Sequence, residues 1–113
     1  MRLAVTLPRC PSTNHLFATV KGRRIKTRDY KAWIEEAGIR LNLQTAQAPM
    51  ITGPVSLRLV LDKGRGDLAN YEKAATDLLV RHRLIDDDKQ VVELFMKHSD
   101  TMGSDMNVTV ESA

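Results

Sequence analysis

Cysteine is nearly absent. Cys10 is the only one in 113 residues, so no internal disulfide can form, which suits a reducing cytosol. No local pattern around Cys10 marks it as a nucleophile. Long apolar runs are also missing: none approaches the roughly 18 residues that cross a bilayer. Met1–Val5 alternates like a strand and lacks the apolar block of a secretory leader. Membrane-spanning and disulfide-stapled classes are therefore set aside. The three histidines, His15, His82 and His98, show neither HxH nor HxxxH spacing, which speaks against histidine-ligated metal; they read as surface or DNA-proximal residues. Repeats, linkers and low-complexity tracts are absent too, so residues 1–113 read as one domain. At 42% hydrophobic, such a domain buries a modest core and gains from a partner subunit.

What is present is unevenly spread. Residues 1–49 hold nine Lys/Arg against three Asp/Glu, whereas residues 50–113 hold eight against eleven. A basic first half suits a polyanion and an acidic second half suits a cation, although two solvated faces would read the same way. Six of the eleven residues from Lys21 to Lys31 are basic. Arg23, Arg24 and Lys26 are candidate phosphate contacts there, because Lys and Arg that displace counterions supply most non-specific DNA affinity.

The apolar periodicity predicts the order βαβαββ, with a mixed sheet and two helices packed on it, an α+β fold. Leu3, Val5 and Leu7 alternate in a first strand ended by Pro8. Gly22 suggests the tip of a short hairpin from Phe17 to Lys26. Thr27 caps a helix over about 28–47, whose stripe is Tyr30, Trp33, Ile34, Ala37 and Leu41; Tyr30 is core, not a base-stacking ring. Val55, Leu57, Leu59 and Leu61 alternate in a second strand. A second helix covers about 68–82, closed by Arg81-His82-Arg83. Strands around 91–96 and 106–110 follow, close enough in sequence to form a hairpin.

Between the second strand and second helix lies Arg65-Gly66-Asp67-Leu68-Ala69-Asn70-Tyr71-Glu72-Lys73. In a helix from 68, Asp67 stands at the N-cap and Asn70 and Lys73 follow along one edge. Asp86-Asp87-Asp88 begins about four residues after that helix pattern ends. Taken singly, Asp67 reads more simply as a helix cap, the triplet as a polar turn and Lys73 as a solvated side chain. Taken together, the two acidic segments are expected to meet at one rim of the sheet. A hard divalent cation takes oxygen ligands, and one or two carboxylates plus a substrate phosphate often suffice. Asp67, Asp88 and Asp87 could supply those carboxylates for phosphodiester hydrolysis, with Lys73 as a point charge beside the phosphate.

Asp67-Leu68-Ala69-Asn70-Tyr71-Glu72-Lys73, followed by Asp86-Asp87-Asp88-Lys89-Gln90-Val91, resembles the RusA family of phage and prophage Holliday-junction resolvases. The opening Leu7-Pro8…Pro11-Ser12-Thr13-Asn14 and Gly22-Arg23 resemble that family as well. The resemblance implies a homodimeric crossover-junction endodeoxyribonuclease that depends on Mg²⁺, with Mn²⁺ as the alternative. It implies paired symmetric nicks at a four-way DNA junction, in recombination and repair, within the cytoplasm of a bacterial host. Asp67 and Asp88 match the family's catalytic acids and Lys73 its helix lysine. Asp87 neighbours the last acid, and Asn70 matches the amide of the first motif. Arg65 and Asn70 join Arg23, Arg24, Lys26 and Lys73 as expected DNA contacts. One position departs: Ala69 stands where the family usually has its second aspartate, and alanine coordinates nothing. The resemblance thus leaves two readings, a metal-dependent nuclease and a non-catalytic, structure-selective DNA-binding protein.

Overall fold

The computed structural model describes residues 1–62 and 68–113. The loop 63–67 and the side chains of Ala69 and Asn70 lie outside that description. The strands are β1 (Arg2–Pro8), β2 (Phe17–Val20), β3 (Arg23–Lys26), β4 (Val55–Leu61), β5 (Val91–His98) and β6 (Asp105–Ser112). Helix α1 spans Arg28–Thr45 and α2 spans Glu72–Arg81. Short 3-10 turns cover Thr13–His15, Leu68–Tyr71 and Asp88–Gln90.

Four strands form one mixed sheet in the order β1-β6-β4-β5, with β6 antiparallel to both neighbours and β5 parallel to β4. Register aligns the apolar alternations. Val5 lies opposite Val108, and Val108 opposite Leu59; Leu7, Met106 and Leu61 make the adjacent row. Those six are buried. Tyr30, Trp33, Ala37 and Leu41 of α1 join them in the same core, as do Ala74, Ala75, Leu78 and Leu79 of α2. The strand residues between the buried ones, such as Arg58, Glu93 and Glu111, form a charged outer face. One face of the sheet is thus apolar and covered, as its period-two pattern requires.

The expected hairpin between the last two strands does not form. β5 enters beside β4 through the parallel β4–α2–β5 crossover, and β6 takes the place between β4 and β1. The apolar row Met106, Val108, Val110 is buried only where strands flank it on both sides, whereas Glu93 and Lys97 suit an edge. The element order also gains the hairpin β2–β3, which stands apart as its own two-stranded sheet. Its turn is Lys21-Gly22, with φ of 52° and 75°, the backbone of a two-residue turn that matches strand twist.

Both helices differ from their sequence patterns at an end. Thr27 caps α1 as expected, its hydroxyl accepting from the Tyr30 N–H at 3.2 Å, but α1 stops at Thr45 rather than 47. α2 starts at Glu72 rather than 68, because 68–71 wind as a 3-10 turn with Tyr71 at the cap. The expected cap, Asp67, lies outside the described residues. The buried Cys10 thiol donates to the Tyr71 carbonyl at 3.2 Å, and burial pushes its pKa to about 12, so it is a structural thiol and not a nucleophile. At its far end α2 closes with Arg83 in the left-handed region (φ 59°). Leu84 N–H bonds the Leu79 carbonyl and Arg83 N–H the Val80 carbonyl, each at 3.0 Å. That reversal buries Leu84 and Ile85 and sends the chain directly into Asp86.

Candidate functional site

The acidic triplet is held by one amide. Gln90 Oε1 accepts from the backbone N–H of Asp86 at 2.6 Å and of Asp87 at 3.0 Å. Its Nε2 donates to the carbonyls of Ile51 (3.0 Å) and Gly53 (2.9 Å). Four hydrogen bonds, two accepted and two donated, use all that a carboxamide can offer. They tie the turn after α2 to the loop before β4. Asp87 caps the 3-10 turn that follows, its Oδ1 accepting from the Lys89 N–H at 2.9 Å, and with Gln90 it forms a reciprocal capping box. The exposed carboxylates thus stand on a fixed backbone rather than on a loose loop.

Their charges are unequal. The Lys89 N–H, and then a hydrogen bond with Asp88, hold the Asp87 carboxyl below its ordinary range. The Asp87 side chain, slight desolvation and the charges of Asp87 and Asp77 raise that of Asp88, while Lys73 opposes the rise. Asp87 therefore stays ionised and Asp88 takes the first proton. Lys73 and Asp77 pair at 3.6 Å on α2, and Arg81 continues the same stripe one turn on. Asp77, Val80 and Arg81 line one wall of a cleft of ≈ 480 Å³, and Asp86, Asp87 and Asp88 line the other. Asp77 and Arg81 escaped the sequence reading as site residues: Asp77 stands four residues from Lys73 and Arg81 four from Asp77, but the spacing does not show what they face.

Adjacent carboxylates of which one raises the other's pKa, as Asp87 does that of Asp88, are a donor set that a hard cation relieves. Among the described residues no three acids or histidines stand close enough to hold a metal by themselves. Two carboxylates, Asp87 and Asp88, are fewer than a shell needs, and a phosphate oxygen is the kind of donor that adds to them. The donor chemistry fits Mg²⁺ or Mn²⁺ on those terms.

Asp67 and Arg65, the remaining expected acid and one expected DNA contact, lie outside the described residues, as do the side chains of Asn70 and Ala69. Lys73 is half-exposed on α2 near Asp88. Arg23, Arg24 and Lys26 are exposed on β3, with the Arg24 guanidinium 4.0 Å above the Phe17 ring. Two histidines read as surface residues are half-buried. His82 lies against α1, bonded through Nδ1 to Asn42 Oδ1 at 3.1 Å, and His98 ends β5 with its Nδ1 buried.

A family model described as Endodeoxyribonuclease RusA matches residues 7–111, nearly the whole chain. No curated protein matches it.

Proposed function

The chain belongs to the RusA family of endodeoxyribonucleases, enzymes that resolve Holliday junctions, and from that premise we propose a metal-dependent, homodimeric resolvase that nicks four-way DNA junctions at the Asp86–Asp88 turn. The observation that carries this reading is the Gln90 clamp, which presents Asp87 and Asp88 across a cleft from Asp77 and Arg81, with Lys73 paired to Asp77 one turn back along α2. Asp67, Asp88 and Asp87 would hold Mg²⁺ or Mn²⁺. The bound cation supplies Lewis-acid charge for phosphodiester hydrolysis. Asp87, ionised throughout, orders the turn and adds negative charge. Lys73 meets the phosphate as a fixed positive charge, and pairing with Asp77 keeps its amine beside the acids. Asn70, Arg65, Arg23, Arg24 and Lys26 contact DNA around the cut strand.

Ala69 supports a second reading, a junction-binding protein whose cleavage is disabled at the position of a family aspartate. Purified protein incubated with a labelled four-way junction, with Mg²⁺ or with EDTA, separates the two. Paired nicks in Mg²⁺ alone are the outcome for the nuclease. A retarded band without nicks, converted to nicking by Ala69→Asp, is the outcome for the binder. Normal junction binding with no cleavage by the Ala69→Asp protein would remove the metal site from both.

Two symmetric nicks require two equivalent sites, which a two-fold dimer supplies. Among the described residues no strand pairs the outer edge of β5, and that edge is the surface we assign to the second copy. Val92, Leu94 and Phe95 are 62%, 45% and 46% exposed there, an apolar strand edge of the kind that recruits another strand.

A further inference from the structure

Between the foot of the β2–β3 hairpin, α1 and the end of α2 runs a second groove of ≈ 520 Å³. Its charged lining is Lys26 from β3, Lys31 and Glu35 from α1, and Arg81 from α2. Among the described residues Arg2, Arg40 and Lys73 pair with carboxylates, whereas Lys26, Lys31 and Arg81 have none within ion-pair distance. Three unneutralised cations from three separate elements therefore converge against one carboxylate. A net positive lining of this kind attracts an anion.

The floor of the groove is shaped to stay low. His82 lies across Gly38, where an added Cβ would come within 2.9 Å of the imidazole Nε2. Any larger residue at 38 would lift the ring into the groove. Desolvation, and then the neighbouring Arg81, hold the His82 pKa below its ordinary value, so the ring is a neutral floor at pH 7. Ile39, 58% exposed, gives one side an apolar surface suited to a sugar. Arg81 also lines the acidic cleft, so the two depressions share a wall.

We propose that this groove is a binding track for the phosphodiester backbone of a DNA arm, with Lys26, Lys31 and Arg81 contacting successive phosphates of a strand that continues from the acidic cleft across Arg81. The track rests on the nuclease reading above for the identity of its ligand. It adds Lys31 and Arg81 to the DNA surface and fixes the direction in which the arm leaves the acidic cleft. Release of counterions makes each contact visible as a change in salt dependence.

The test is anisotropy of a fluorescent four-way DNA junction titrated with the full-length chain in EDTA, at several salt concentrations. Lys31→Gln, Arg81→Gln and Lys26→Gln are compared with Arg2→Gln, which removes the same charge from the outer face of the sheet. Circular dichroism confirms that each variant is folded. Each groove variant is expected to weaken binding several-fold and to lower the slope of log K against log salt by roughly 0.9 per contact. Arg2→Gln is expected to change neither. Slopes for Lys31→Gln and Lys26→Gln equal to that of Arg2→Gln would overturn the track. An equal loss on a matched RNA junction but none on DNA would overturn the assignment to DNA. Neither result touches the acidic site, whose own failure is read by nicking in Mg²⁺ with Asp88→Asn.

Discussion

The two edges of the four-stranded sheet are treated in opposite ways. At the β1 edge, α1 lies alongside and its side chains stand in for a missing strand. Gln44 Nε2 donates to the Thr6 carbonyl and Gln44 Oε1 accepts from the Thr6 N–H, both at 2.8 Å, the two bonds a neighbouring strand would make. Trp33 Nε1 adds a third bond to the Pro8 carbonyl at 2.8 Å, and Arg40 pairs with Asp105 at 3.0 Å. At the β5 edge nothing of the kind occurs among the described residues. Val92, Leu94 and Phe95 are open to solvent, and the Arg58 guanidinium 4.4 Å from the Phe95 ring sits on the outer face rather than on the strand edge. An unprotected apolar edge invites pairing with another chain. Among the described residues the chain closes one edge itself and leaves the other open, directly downstream of Asp88, where the proposed second copy would pair.

The largest test of this contrast breaks the closed edge. Trp33→Ala removes a buried indole and its bond to Pro8, and is expected to cost about 3–5 kcal/mol in urea unfolding. Gln44→Ala exposes the same edge without opening the core, and about 1 kcal/mol is expected. Equal losses for the two would mean that the strand-like bonds, and not Trp33, hold α1 on β1. A smaller effect on stability but a clear one on mass is expected at the open edge. Leu94→Lys should cost roughly 1 kcal/mol or less in folding. In sedimentation velocity it should convert dimer to monomer. An unchanged sedimentation coefficient with a large loss of stability would show that β5 is part of the folded core and not an interface.

The smallest effect lies in the turn that feeds the open edge. Asp88 has a raised pKa, so its ionised form is disfavoured in the fold. That penalty is absent below the ordinary carboxylate value of 3.8 and accrues as pH rises through the raised one. Asp87 behaves in reverse: its lowered pKa contributes stability above 3.8 that is lost as pH falls through the depressed value. The two oppose each other on exposed groups, so unfolding midpoints should move little across the acid range. Cation affinity should not cancel, because both acids must be ionised to bind. Mn²⁺ binding followed by electron paramagnetic resonance should weaken as pH falls through the raised Asp88 value. Asp88→Asn should remove both the binding and its pH dependence.

Much of the fold was readable from periodicity. The strand rows at 3–7 and 55–61, the Tyr30–Leu41 stripe and the Thr27 cap follow from local side-chain spacing, and all recur in the structure. The β2–β3 hairpin was legible through Gly22 because a two-residue turn needs positive φ. The order of strands was not. Proximity in sequence suggested β5 with β6, but pairing depends on which strand must be buried on both sides, a property of the whole sheet. Likewise Asp87 and Asp88 could be named from their neighbours, whereas Asp77 and Arg81 emerge as partners only once α2 lies across the cleft.

What the chain alone determined is therefore its chemistry and its local elements: an acidic turn with Gln90 two residues beyond Asp88, a basic hairpin and two amphipathic helices, each set by interactions a few residues long. What only tertiary structure decided is which of them face one another. Gln90 reaches Ile51 and Gly53, Gln44 reaches Thr6, and Arg81 joins two grooves. Those contacts cross wide gaps in sequence, and their geometry exists only after burial of the sheet's apolar face has brought the elements together.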